Sequence, residues 1–159
     1  MAVRNALVKA EPSAVWAVLA DGSSYAQWVV GTQAVRAVDP HWPQEGASLH
    51  YTVGLGPLQI NDCTTVRLVE PGKCLELEAH ARPLGSARIS IQILRWGEDS
   101  LVIMDEHPLR GPSWALENPV VELVITLRNR SMLRRLVRVV EARAGQLPSA
   151  ALDQQPPGQ

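Results

Sequence analysis

Phenylalanine is absent from the 159 residues, and tyrosine occurs only twice. Five tryptophans therefore carry most of the aromatic bulk. The only cysteines are Cys63 and Cys74. Their spacing fits no zinc or redox motif, so they are expected to be reduced, half-buried thiols. His41, His50, His80 and His107 do not cluster, and no metal is expected. No apolar run approaches the roughly 18 residues that a membrane-spanning helix needs. The opening Met1-Ala2-Val3-Arg4-Asn5 lacks a signal core and a cleavage site, so a cytoplasmic location is expected. Nucleophile-elbow, phosphate-loop and dinucleotide fingerprints are missing too, which leaves serine hydrolase, P-loop and nicotinamide readings unsupported and no cofactor expected. Charge of either sign is in short supply. A net charge of −1 argues against a nucleic-acid partner.

What is present is enough to fold. Hydrophobic residues make up 46% and charged residues 19%, the balance of one globular domain with a core of its own. The charge is uneven. Residues 1–117 hold nine basic and thirteen acidic side chains, whereas residues 118–159 hold six arginines against three acids. Val3 to Ala10 reads as a strand. Glu11-Pro12-Ser13 opens a helix with Val15, Val18 and Leu19 on one face. Ser23 or Ser24 is placed to cap a second short helix over Tyr25 to Trp28. Short strands follow at Gln33–Val38 and Ser48–Val53, then Leu58–Glu70, Lys73–Ala81, Ser86–Trp96 and Ser100–Leu109, separated by Gly- and Pro-containing turns.

The Pro71-Gly72 turn permits a register test. With Glu70 opposite Lys73, Leu68 meets Leu75, Val66 meets Leu77 and Thr64 meets Ala79. The other face then pairs Arg67 with Glu76 and Thr65 with Glu78. One face is apolar and the other polar, as in a sheet with one buried side. Ile89, Ile91 and Ile93 continue the apolar face. A long C-terminal helix is the natural cover. Asn118 suits its N-cap, Pro119 its first position, and Gly145 its stop after Ala144. Its core stripe is Val121, Ile125, Met132, Leu136 and Val140. Residues 146–159 are expected to be a disordered tail after a domain spanning 1–145.

The order of strand, two short helices, six-strand meander and long helix resembles the START-like superfamily, also called SRPBCC or Bet v 1-like. The likeness covers roughly residues 2–144. It is carried by that order and by local phrases: Pro12-Ser13-Ala14-Val15-Trp16 with Tyr25-Ala26-Gln27-Trp28, Val69-Glu70-Pro71-Gly72-Lys73-Cys74-Leu75, Glu106-His107-Pro108, and Leu127-Arg128-Asn129-Arg130 with Leu133-Arg134-Arg135-Leu136. It implies an α+β helix-grip fold, a curved antiparallel seven-strand sheet (β-α-α-β6-α) wrapped around the terminal helix. Bacterial members of this kind are often labelled polyketide cyclase/dehydrase-like, and the family holds lipids, polyketides and other apolar molecules between helix and sheet. Only some members are enzymes, without a universal catalytic motif, so the resemblance assigns no catalytic residue.

The register points Asp62 and Thr64 to the buried face. There Asp62 is either a polar anchor or general base, or it is solvated because the strand starts at a wet rim or bulges. On the last strand, either Val102, Met104 and Glu106 face inward, or Leu101, Ile103, Asp105 and His107 do. If inward, Glu106 either hydrogen-bonds a ligand or transfers protons, or it forms a rim salt bridge. Trp28, Tyr51, Met104 and Trp114 are candidate cavity walls, or simple core filling; Ile125 and Met132 complete the candidate lining. Arg128, Arg130, Arg134, Arg135, Arg138 and Arg143 make either a solvated helix face or a docking face for an anionic protein partner. Three functions follow as expectations: binding of a lipid- or polyketide-like molecule, an aromatase/cyclase-type enzyme, and an interaction scaffold.

Overall fold

The computed structural model describes residues 2–55, 57–81, 85–111 and 119–146, with side chains at all of these except 2, 55, 81 and 120–125. Strand β1 (Ala2–Val8) enters α1 (Pro12–Ala20) through Glu11, whose extended backbone precedes a proline in the first turn. Proline fits there because its fixed φ is helical and its missing N–H has no partner to lose. Helix α1 buries Val15, Val18 and Leu19 at helical spacing. A 3-10 turn at Gly22–Ser24 and helix α2 (Tyr25–Trp28) follow. The capping differs from expectation. The Asp21 carboxylate accepts the Ser23 N–H, while the Ser24 hydroxyl turns inward to the carbonyls of Val18 and Asp21.

The remaining strands are β2 (Thr32–Val38), β3 (Ser48–Leu55), β4 (Leu58–Glu70), β5 (Cys74–Ala81), β6 (Gly85–Trp96) and β7 (Asp99–Arg110). All neighbours are antiparallel, in the order β1-β7-β6-β5-β4-β3-β2. Register shifts interrupt the β2–β3, β4–β5 and β6–β7 ladders. Such bulges bend and twist a sheet, which here becomes a trough.

The β4–β5 hairpin shows one correction to the expected register. Its turn takes three residues, Pro71, Gly72 and Lys73, and the Lys73 N–H closes it on the Glu70 carbonyl at 2.9 Å. Gly72 supplies the φ of +76° that this turn requires. The extra turn residue is offset by a bulge at Arg67. Beyond the bulge, Val66 meets Leu77, Thr65 meets Glu78 and Thr64 meets Ala79, as expected. Before it, Val69 rather than Leu68 faces Leu75, and Leu68 stands 41% exposed. Arg67 consequently pairs with Glu78, not Glu76. The β6–β7 hairpin is tight, with Trp96 opposite Asp99. That settles the facing of β7: Val102, Met104 and Glu106 are buried, and Leu101, Ile103, Asp105 and His107 lie on the other side.

Helix α3 (Pro119–Gln146) lies against β1, α1, α2 and β7. Met132, Leu133, Leu136 and Val140 are buried beneath it, each worth about 1.5–3 kcal/mol in apolar transfer. The helix runs past Gly145 instead of stopping at Ala144. Gly145 is not among the glycines with positive φ, so it serves as an ordinary helical residue and not as a left-handed cap. Two contacts hold this end. Arg143 reaches Asp21 at 3.0 Å, and the Lys9 N–H donates to Glu141 at 2.9 Å. Gln146, expected at the start of the tail 146–159, is helical, while the expected cap Asn118 and the rest of that tail lie outside the described residues.

Candidate functional site

The concave face is apolar along most of its length. Leu49, Val66, Leu75, Leu77, Ile89, Ile91, Ile93, Val102 and Met104 are all buried. Polar residues break the pattern in two places. On β3 and β4, Tyr51 stands opposite Asp62, with Thr64 two residues further along the same face. On β7, Glu106 shares a row with Ile89, Leu77 and Val66. The strands β4 and β7 are three spacings apart, about 14 Å along the sheet.

The first polar group is a chain of hydroxyls. Tyr25, from α2, lies 2.9 Å from the Thr64 hydroxyl, which in turn lies 3.4 Å from the Tyr51 hydroxyl. The Tyr25 and Tyr51 rings are 5.1 Å apart, and Trp28 meets Tyr25 edge-on at 5.4 Å. Burial pushes the Tyr25 phenol well above its ordinary value, with the Tyr51 oxygen adding to the effect. Burial also raises Tyr51, and the Asp62 carboxylate nearby acts in the same direction. Both phenols are therefore neutral donors at physiological pH. Asp62 is 5% exposed and accepts the Cys63 N–H at 2.9 Å. The wet-rim alternative for Asp62 does not hold.

The second group lies under α3. Arg128 approaches Glu106 at 3.8 Å, and its positive charge is felt at both tyrosines. Asn129 is fully buried, yet neither its amide nitrogen nor its oxygen has a hydrogen-bond partner. The Glu106 Oε2 and Trp28 Nε1 atoms are buried and unpartnered as well. Burying a polar group without a partner costs about 1–3 kcal/mol. Four such atoms on the walls of one interior are a substantial expense in a domain whose net stability is about 5–15 kcal/mol. Elsewhere, Thr32 at a strand start and the Asp105 Oδ1 atom of the opposite β7 face are also without partners, while His107 Nδ1 lies 3.1 Å from Asp105 Oδ2.

Of the expected lining, the structure brings Trp28, Tyr51, Thr64, Met104, Glu106 and Met132 to the interior, all nearly or fully buried. Trp114 and the Ile125 side chain lie outside the described residues. Tyr25 and Asn129 were not foreseen as site residues. A signal for Asn129 existed: the apolar stripe jumps from Ile125 to Met132, and helical spacing requires an inward residue between them. A separate groove of about 410 Å³ runs between β1 and α3, lined by Arg4, Asn5, Ala6, Thr126, Leu127, Arg130, Leu133 and Arg134. No helix among the described residues is long and apolar enough to cross a membrane, and no group of three or more potential metal ligands occurs among them.

No family model and no curated protein sequence matches the chain. Solved structures do. The Zhui aromatase/cyclase from Streptomyces sp. R1128 aligns with a TM-score of 0.67 at 15% identity, over 89% of this chain and 93% of its own. The di-domain aromatase/cyclase StfQ from the steffimycin biosynthetic pathway aligns at 0.70 and 11% identity; 90% of this chain is covered, matching 51% of that longer chain. Ara h 8.0201 aligns at 0.65 and 7% identity, over 88% and 96%. With the seven-strand trough, the short helix pair and the long terminal helix, the chain has the START-like (SRPBCC, Bet v 1-like) helix-grip fold.

Proposed function

We propose that this protein binds a hydrophobic small molecule, lipid-like or polyketide-like, between the concave face of the sheet and helix α3. One observation carries the reading. A largely apolar interior keeps hydrogen-bonding atoms of Trp28, Glu106 and Asn129 without partners. Binding sites combine apolar walls with a few placed polar groups that fix orientation. A ligand that satisfied these atoms would recover their desolvation cost and add apolar contact. Freshly purified protein should retain a small apolar molecule in native mass spectrometry, or bind the neutral dye Nile red at micromolar concentration after delipidation. Absence of both a retained molecule and dye binding would remove the reading.

A second reading is an aromatase/cyclase-type enzyme. It is favoured by the neutral phenols Tyr25 and Tyr51 beside the Asp62 carboxylate. Such a set can donate hydrogen bonds to a ketone oxygen that gains charge on enolisation while a carboxylate takes the proton. Asp62→Asn and Glu106→Gln together should then abolish turnover of a linear poly-ketone while leaving Nile red binding in place. Unchanged turnover would rule this reading out. A docking face for an anionic protein partner has one specific support: Arg4, Arg130 and Arg134 line the β1–α3 groove and form no ion pair among the described residues. Salt-sensitive binding of a poly-glutamate peptide, lost on Arg130→Glu with Arg134→Glu, is the expected result.

A further inference from the structure

We infer that Asn129 is the specificity-determining residue of the sheet–helix site, and that the ligand carries an uncharged oxygen group, a hydroxyl or enol, where a carboxylate is refused. The inference rests on the ligand-binding reading and deepens it by naming what the ligand must present. It starts from the unused atoms. The free donors are the Trp28 indole N–H and the Asn129 amide N–H, and the free acceptors are Asn129 Oδ1 and Glu106 Oε2. A primary amide offers one donor edge and one acceptor edge side by side. Its complement is a group that both donates and accepts. A hydroxyl does so; a carboxylate only accepts, and an ammonium only donates.

Charge points the same way. The buried acids on the concave face are Asp62 and Glu106, and Arg128 is drawn to Glu106. A carboxylate entering this interior would add a third acidic group to Asp62 and Glu106, with Arg128 already drawn to Glu106. Like charges in a poorly hydrated interior repel strongly. Fatty-acid headgroups are therefore disfavoured here, and neutral hydroxylated apolar molecules are favoured.

Asn129 also makes a distinctive demand on stability. A buried amide without partners is a liability for the empty fold, so its replacement by an apolar residue of similar size should stabilise the protein while harming the site. A structural role would give the opposite sign. Three probes separate the possibilities: 2-naphthol, 2-naphthoate and Nile red, titrated by fluorescence, with thermal melts of every variant. The wild-type protein should bind 2-naphthol at least about ten-fold more tightly than 2-naphthoate, a difference of about 1.4 kcal/mol. Asn129→Leu should melt at or above the wild-type temperature and weaken 2-naphthol about ten-fold or more, while 2-naphthoate loses less, because a site built to pair a hydroxyl loses much when that pairing goes. Glu106→Gln, which removes the repelling charge, should narrow the gap between 2-naphthoate and 2-naphthol. If Nile red binds but 2-naphthoate matches or exceeds 2-naphthol, or if Asn129→Leu lowers the melting temperature or leaves 2-naphthol untouched, the inference is overturned with the ligand-binding reading intact. If none of the three probes binds, both fall together.

Discussion

Tyr25 and Tyr51 are the only tyrosines in the chain, and the hydroxyl of each is tied to Thr64. Tyrosinate absorbance at 295 nm therefore reports on the site and on nothing else. Burial raises both phenols above their ordinary value of 10.0. The sign of the pH effect follows. The unfolded chain ionises at the ordinary value, while the folded chain keeps its phenols neutral. Their contribution to stability is complete below pH 10 and is lost as pH climbs from there toward the folded values. The expected alkaline titration shows no tyrosinate at pH 10, then a steep rise coincident with loss of far-UV ellipticity. A smooth single-site curve centred near 10 in a folded protein would show that the phenols are solvated and the hydroxyl chain does not exist. At this scale the sequence was partly readable. Alternation along Leu58–Glu70 placed Asp62 and Thr64 inward, because a strand with one buried face leaves a side chain two choices. Nothing local told that Asp62 would be buried rather than solvated, since that depends on how far α2 and α3 extend over the end of the trough.

Among the elements, α3 is held at its C-terminal end by polar contacts and along its length by Met132, Leu133, Leu136 and Val140. Leu136→Ala should cost about 2–5 kcal/mol, because a fully buried leucine leaves both a lost transfer term and a cavity. The Asp21–Arg143 pair is worth far less. Both side chains are over a third exposed, and solvent screening limits such a pair to about 0–1 kcal/mol. Its signature is the pH dependence. Burial pushes the Asp21 carboxyl up, but hydrogen bonds from Ser23 and Arg143 and the arginine's charge outweigh it, so the group sits below its ordinary 3.8. A depressed carboxyl stabilises the fold above its unfolded value, and that stability is lost as pH falls through the folded value. Arg143→Met should therefore lower the melting temperature by no more than about 2–4 °C at pH 7, and by progressively less as pH falls below 3.8. A deficit that does not shrink at all as pH falls below 3.8 would mean the loss is one of packing. Element boundaries were legible to within a residue or two because Gly and Pro punctuate the strands. The Arg67 bulge was not. A three-residue turn and a compensating bulge leave the far part of the register untouched, so the alternation from Val66 to Thr64 fits both arrangements.

At the scale of the molecule, the trough and α3 are two bodies joined by a shared interior. A ligand between them acts as a common partner for both. Binding to the folded state alone adds about 2.7 kcal/mol at a hundred times the dissociation constant, and the added protection should be distributed by contact. Amide exchange ought to slow at Arg128–Met132 of α3, at Tyr51 and Asp62–Thr64, and at Met104–Glu106. The hairpin turns at Pro71–Lys73 and Gly97–Glu98 lie beyond the reach of such a ligand and should be unaffected in their fast local openings. Uniform slowing would indicate only a global shift of the unfolding equilibrium, and slowing confined to β1 and the outer face of α3 would move the site to the arginine-lined groove. The overall order of elements pointed to this architecture because a one-sided sheet must be covered, and only one helix was long enough. It did not point to the polar atoms left open inside. Those become visible only when Asn129, Glu106 and Trp28, separated by as many as 101 residues in the chain, are brought to the interior with atoms left unpartnered. Protection concentrated on those three segments at once is the outcome that only a molecule seated between sheet and helix would produce.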